Sequence, residues 1–571
     1  MAISPAPLGA YSVDLDPDAD TYPDPDTAAG RRLAAGAYRD RDFRDQVLHD
    51  IYNACGRRVA PSHGFDLVLV LRHAWAAWWL EAGQQLMLLI VLGCWFAMRP
   101  LDTFMALDLL VIWDLLRRLL SWISEYLGFG GRRDPTRDRP EQVRERNLDL
   151  RGKLLKRSLA GALTVLAALL LVSGAHRRTR MAAASWATPT MLTVAGIIIT
   201  LVAVAGAAAV VRARCLARLR PAASCRRPRY SRRMRFIKQQ QRHPFTVHSG
   251  FKPFLGSGKK VRGWSFAQRL VRAKKPGDTG PSREFDPPPF TTSRLVSRLR
   301  DVIADLKYDG NPETRLPELR VADCVFVEGT GAASFSGALT AGPESDEVKQ
   351  AVKDAIARPS GVARHYLSAQ VVSWGGEIVT TVFVHVSLQG RTLYIEFATY
   401  ALYPIRPEYG THRVGARHSR EDASAVGAAV AELPSHLLEI KRLVKAPVML
   451  LRALRAARAR TARMLPYGDI GAESSVRETA MIEPPTESRN DSESGYFQSQ
   501  DVAQHSKIIE RRLIAALDDY LVEFDVDSSE FIQRTTAILN NGVLNTGSGS
   551  ISAENMAVGE NSSIYAQSGN G

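Results

Sequence analysis

Cysteine is scarce: the 571-residue chain carries five, Cys55, Cys94, Cys215, Cys225 and Cys324, in no metal-binding spacing. So few thiols cannot form a disulfide framework, and they are expected to be reduced and structural. A phosphate loop is missing too. Around Gly258-Lys259, Pro253 stands where the first glycine of that loop belongs and Lys260 where its Ser or Thr belongs, so no nucleotide site is expected. His365, His385, His412 and His418 are scattered, and no Ser, Cys or carboxylate near them forms a nucleophile or metal pattern. No catalytic residue, cofactor or metal is therefore expected. Asp14, Asp16, Asp18 and Asp20 alternate through a Pro-rich start that lacks the glycine and terminal Glu of a calcium loop. Disorder is expected over about the first 30 residues, and without an apolar core that start predicts no cleavable signal.

Apolar residues are concentrated between residues 74 and 211. Met191 to Val211 holds no charge over a length that crosses a bilayer core, which takes roughly 20 residues. Leu159 to Ala175 is shorter, but Lys156, Arg157, Arg177 and Arg178 flank it and can snorkel to headgroups. Before these, Trp78 to Met98 and Leu101 to Leu120 read as a helical hairpin turning at Arg99-Pro100. The expectation is an α-helical membrane domain over 74–211 with about four transmembrane helices, at 78–98, 101–120, 159–175 and 191–211. A carboxylate in mid-membrane is expensive, so Asp108, central in the second span, is the intramembrane polar candidate. Asp102 and Asp114 fall near that span's ends.

The net charge of +15 gathers in juxtamembrane arginines. Residues 212–242 contain no acid, and the loop from Arg117 to Arg157 is strongly basic. The positive-inside rule then puts both termini in the cytoplasm of a bacterial plasma membrane, with the lipid bilayer and its anionic headgroups as partners. Basic charge also suits nucleic acid, but no interleaved aromatic platform accompanies it, so no nucleic-acid partner is expected.

The remainder divides into a cytoplasmic region at 1–73, a basic juxtamembrane segment and linker at 212–290, and an α+β domain at 291–464. In that domain helical spacing marks Ser293–Tyr308 and Asp346–Arg358, and Leu319–Val327 is a strand. Tyr366–Trp374, Glu377–Leu388 and Thr392–Leu402 are β-prone and joined by Gly375-Gly376 and Gln389-Gly390. Two short glycine turns between three such runs specify an antiparallel β-meander. Val382, Val384, Val386 and Leu388 share a face, so at least one side of the sheet is buried. Glu439–Met464 is a basic amphipathic stretch suited to an anionic leaflet or to packing on the domain. A disordered linker is expected at 465–504, an amphipathic helix suited to self-association at 505–530, and a β-prone tail at 531–571, rich in Asn, Ser and Gly. Low charge and an absence of Pro in that tail favour stacked, in-register strands.

Within the tail, Met556-Ala557-Val558-Gly559-Glu560-Asn561-Ser562-Ser563-Ile564 resembles the RIP homotypic interaction motif and its bacterial amyloid-signalling relatives, with Ala557 where those carry Gln. That resemblance implies an assembly motif (Met556, Val558, Gly559, Asn561, Ile564), a homo-oligomer, and a receptor with a similar tail motif as partner. HPFTVHSGF (His243 to Phe251), FLGSG (Phe254 to Gly258), SWGGE (Ser373 to Glu377) and YALYPIRPEY (Tyr400 to Tyr409) resemble an uncharacterised group of actinomycete multipass membrane proteins. The function expected is a non-enzymatic signalling, effector or scaffold protein clustered by its tail. The alternatives are a channel or transporter using Asp108 and, third, a membrane-tethered enzyme.

Overall fold

The structure is a computed structural model that describes residues 27–54, 57–126, 183–219, 231–248, 252–273, 284–410, 427, 433, 437, 444–458, 471–472, 475–482 and 496–539. The span expected at 159–175 and the motif from Met556 to Ile564 lie outside them. In chain order the helices are α1 (Ala28–Arg39), α2 (Arg41–Gln46) with a π-helical turn at Val47–Tyr52, α3 (Leu67–Met98), α4 (Pro100–Tyr126), α5 (Ala183–Ala217) and α6 (Arg232–Gln240). After two strands come α7 (Thr292–Ala304), α8 (Ser336–Thr340), α9 (Asp346–Ala357), α10 (Ala446–Arg458), α11 (Val476–Ala480), α12 (Tyr496–Glu523) and α13 (Ser529–Leu539).

The strands are β1 (Phe245–His248), β2 (Lys259–Arg269), β3 (Leu319–Glu328), β4 (Ala363–Ser373), β5 (Ile378–Gln389) and β6 (Thr392–Leu402). They form one mixed sheet in the order β1-β3-β4-β5-β6-β2. The meander is present as β4-β5-β6, extended by antiparallel β3, while β1 runs parallel to β3 and β2 antiparallel to β6. Side chains alternate faces along each strand. Val325, Leu367, Val382, Val384, Ile395 and Phe397 therefore meet the apolar stripes of α7, α9 and α12. Burying each such side chain contributes about 1.5–3 kcal/mol. The opposite face is covered as well. There Phe254 lies against Phe326, Tyr366, Phe383 and Tyr400 at 4.8–5.2 Å between ring centroids. Cover on both sides explains why every residue of β5 from Ile378 to Ser387 is buried, Thr380, Thr381, His385 and Ser387 included.

Local chemistry sets the helix starts. Ser345 caps α9 through Val348 N, with Asp346 and Glu347 in its first turn. Asp66 caps α3 through Val68 N at 3.0 Å. α3 stops at Arg99 because Pro100 disfavours helical backbone before it and suits the first position of α4.

Several expectations are corrected. The segment at 212–290 supplies α6 and both outer strands, so the sheet domain begins well before residue 291. Only one face of edge strand β2 is buried, and its cationic residues Lys259, Lys260 and Arg262 hide the alternation of Phe266 and Gln268 with exposed neighbours. The linker expected at 465–504 contains α11, whose Arg477 side chain is fully buried. The amphipathic helix expected at 505–530 begins at Tyr496, and Ile509, Leu513, Leu517 and Leu521 face the sheet core. That stripe is taken within the chain. Residues 28–52, expected as a cytoplasmic lead-in, pack around the base of α3 through Leu33, Phe43, Leu48 and Ile51.

Among the described residues two segments are long and apolar enough to cross a membrane, Leu67–Met98 and Thr190–Ala217. The expected spans 78–98 and 191–211 fall within these two segments, α4 packs beside them through Ala106 and Leu110, and 159–175 lies outside the described residues. Asp102, Asp108 and Asp114 keep α4 below that mark. Asp102 Oδ2 accepts from Thr193 Oγ1 at 2.7 Å, and Trp95 Nε1 donates to Thr200 Oγ1 at 3.3 Å. Glu81, Gln84 and Gln85, polar residues at the head of the 78–98 span, are buried inside the protein. Arg44 holds Glu81 at 2.6 Å and Arg41 at 3.3 Å.

Candidate functional site

Because β1 pairs only with Val325–Glu328, the first half of β3 has an uncovered edge. A cavity of about 820 Å³ opens there. Its apolar wall is Val348, Val352 and Ile356 of α9, and its polar wall includes Arg300, Asp323, Ser368 and Gln370. Asp323 Oδ1 accepts from Arg300 at 2.6 Å and from His365 Nε2 at 2.8 Å. Burial works to raise the Asp323 carboxyl, but the His365 hydrogen bond and Arg300 outweigh it and hold it below the usual carboxylate range. His365 in turn accepts from His385 Nδ1 at its backbone carbonyl, 2.7 Å away. Burial lowers the His385 imidazole.

Strand alternation decides what this group can do. Asp323 and His365 project from one face of the sheet, Cys324 and Ser368 from the other. The dyad therefore cannot activate either nucleophile. Cys324 Sγ donates to Ser368 Oγ at 3.3 Å, which donates to the Ala322 carbonyl at 2.9 Å. Burial pushes the Cys324 thiol up to about 11, so it stays protonated. Among the described residues, no group of three or more His, Cys, Asp or Glu could hold a metal ion.

Beside the cavity, a junction joins the sheet to the base of α3. Arg477 NH1 donates to the His63 carbonyl at 2.9 Å and NH2 to the Glu377 carbonyl at 2.7 Å. The Glu377 carboxylate pairs with Arg32 at 3.1 Å and accepts from Ile405 N at 3.3 Å. Glu478 Oε1 accepts from Gly256 N at 2.7 Å and Gly258 N at 3.0 Å. Both glycines have positive φ, which lets their amides converge on one oxygen. A carboxylate of the chain itself thus occupies the glycine turn that precedes Lys259. Tyr409 donates to Asp40 at 2.5 Å with its ring on Gly36. FLGSG, SWGGE and YALYPIRPEY therefore meet at this junction, and His243 and Phe245 of HPFTVHSGF stand at the adjoining cavity and β1.

Asp108 is half-buried in mid-α4, and among the described residues it has no hydrogen bond or ion pair. His365 and His385 come together, whereas His412 and His418 fall outside the described residues. Arg300, Asp323, Arg477 and Glu478 were not singled out by the sequence. No local pattern marks them, because each gains its role from a partner distant in the chain.

A family model described as an AbeC-like domain matches residues 263–553, just over half of the chain. The chain belongs to the AbeC-like family. It is an uncharacterised family, so membership supplies a domain and its bounds but no mechanism. The AbeC-like region takes in β3 to β6 and α7 to α13, starts inside β2, and ends before Met556. No curated protein and no solved structure matches the chain.

Proposed function

We propose that this AbeC-like protein is a membrane-anchored, non-enzymatic signalling or effector protein whose sheet domain is fused to its membrane helices and whose tail drives self-assembly. One observation carries the anchoring. α3 is a single helix of 32 residues, about 48 Å long at 1.5 Å per residue. Leu67 and Leu71 at its start are in the core with the junction, while Leu86, Met87, Leu89, Ile90, Phe96 and Met98 at its end are exposed and apolar. Exposed apolar surface on that scale suits lipid rather than water. From Glu81 to Met98 the helix rises about 26 Å, close to the roughly 30 Å hydrocarbon core. In this reading the spans are 78–98, 101–120, 159–175 and 191–211, in a bacterial plasma membrane with both termini in the cytoplasm. Val558, Gly559, Asn561 and Ile564 carry assembly, with a receptor bearing a similar motif as the recruiter.

A channel or transporter using Asp108 is the second reading, favoured by the lack of a described partner for that mid-helix carboxylate. Full-length protein in phosphatidylcholine vesicles, counted by single-molecule photobleaching beside Val558→Asp, tests the first. Multi-step clusters in the parent and single steps in the variant are expected. Identical step distributions refute tail-driven assembly.

A further inference from the structure

A second cavity, of about 550 Å³, lies between α3 and α10, lined by Arg44, Trp78, Glu81, Gln85, Lys445 and Arg452 among others. Its height on α3 gives it meaning. It sits where the buried polar residues Glu81, Gln84 and Gln85 give way to exposed Leu86, Met87, Leu89 and Ile90. Trp78 and Trp79 pack edge to face at 5.1 Å at this level, and Trp79 is 56 % exposed. Exposed indole at a polar-to-apolar boundary is the side chain that favours a membrane interface.

α10 adds an observation of its own. Met449, Leu450, Ala453 and Ala456 pack inward around the base of α3, yet Val448, Leu451 and Leu454 on its other side are about half exposed. Exposed Lys445, Arg452 and Arg455 flank that apolar row. An apolar row with a basic border suits a helix lying on an anionic leaflet.

The charges at the cavity do not cancel. Glu81 is held by Arg44 and Arg41, and Asp45 lies 3.3 Å from Arg44. Arg452 meets the ring of His49 at 3.4 Å, and the nearby Asp50 pairs with that His. Lys445 makes no ion pair among the described residues. Two exposed cations thus border a cavity whose carboxylate floor is already engaged.

We propose that this crevice binds the headgroup of an anionic phospholipid of the membrane's inner leaflet. Lys445 and Arg452 contact the phosphate, Trp78 and Trp79 lie beside the glycerol region, and an acyl chain follows the exposed Leu86 to Ile90 side of α3. The proposal rests on the membrane reading above and gives it a defined lipid partner and site. A basic pocket beside a membrane helix is the general form of such headgroup sites.

The test uses the full chain in nanodiscs of dioleoyl phosphatidylcholine with a small fraction of dioleoyl phosphatidylglycerol, with retained lipid read by native mass spectrometry after release from the disc. The parent is expected to retain phosphatidylglycerol in preference to phosphatidylcholine. Each cation near an anionic surface contributes about fivefold, so Lys445→Ala/Arg452→Ala should lower that preference roughly 25-fold, and Lys445→Arg/Arg452→Lys should keep it. Circular dichroism matching the parent confirms that the alanine variant is folded. Equal retention of the two lipids by the parent, or unchanged preference in a folded alanine variant, overturns the site while leaving the membrane reading in place. Displacement of the lipid by millimolar inorganic phosphate also overturns it, because the site would then recognise free anion. Failure of the parent to enter neutral phosphatidylcholine vesicles at all is a different result and removes the membrane reading itself.

Discussion

Replacing Arg477 by Met probes the junction most directly. The guanidinium is fully buried, and burial lowers its pKa from the ordinary arginine range to about 10, so it is still cationic at neutral pH. It is kept there by the carbonyls of His63 and Glu377 at 2.9 and 2.7 Å. Methionine fills similar space and avoids desolvating a charge, which favours the variant. Against that, two carbonyls lose their charged donor, a loss of about 1.5–3 kcal/mol for each hydrogen bond to a charged group. The depressed pKa corresponds to roughly 3 kcal/mol of desolvation that the variant no longer bears. The two bonds together outweigh that relief by about 0–3 kcal/mol, centred near 1.5, and the loss is concentrated where the sheet meets α3. Urea unfolding of detergent-solubilised protein, followed by tryptophan fluorescence, measures the loss. Limited proteolysis within residues 57–66 should accelerate in parallel. Stability within about 0.5 kcal/mol of the parent, with unchanged proteolysis, would show that the buried cation does not hold the junction and would refute the reasoning.

Acid should weaken the wall of the larger cavity through His243. Burial, and then the Arg58 charge, lowers this imidazole to about 4, and its geometry fits the neutral form, with Nε2–H on the Ala338 carbonyl at 3.2 Å and Nδ1 accepting from Phe245 N at 3.0 Å. The unfolded chain takes up the proton near 6.5 and the folded one near 4, so this contribution is complete above 6.5 and is lost as pH falls towards 4. Between pH 7.5 and 5 the loss is about 1–2 kcal/mol, and His243→Asn should flatten the pH dependence of unfolding over that window. Gly376→Ala should cost at least about 2 kcal/mol in the same urea assay, since left-handed backbone alone costs roughly 1–2. Gly376 has φ of +89°, and an added Cβ would lie 2.5 Å from the Gly64 carbonyl.

What could be read from the chain follows the range over which each signal acts. The meander was legible because Gly375, Gly376 and Gly390 all take positive φ, a local demand that the sequence displays. α7 and α9 were legible from helical spacing, closed by caps at Thr291 and Ser345. The outer strands were not, because β1 is four residues long and β2 buries one face under a basic exterior. Nor was the extent of the buried part of α3 legible: Glu81, Gln84 and Gln85 fall within the expected 78–98 span, yet they belong to a protein interior shared with Arg44 and Arg41. The Asp323–His365 pair depends on β3 and β4 lying side by side in register, a fact of tertiary pairing that no short window contains.

The position of β2 matters to anyone who expresses the domain on its own. A fragment cut at Gly263, where the family match starts, keeps β3 to β6 but severs Lys259–Arg262 from their partners Ala401, Tyr400 and Thr399 and discards β1 entirely. It also removes Phe254 from the middle of an aromatic cluster, leaving Phe326, Tyr366, Phe383 and Tyr400 around an empty centre. β3 would then offer an unpaired ladder along its whole length and β6 along one end, the surface on which strands of separate molecules pair. Insoluble product from such a fragment would report on the choice of cut rather than on the fold. A start near Ser231, supplemented by the 57–66 segment that Arg477 holds, keeps both outer strands of the sheet in place.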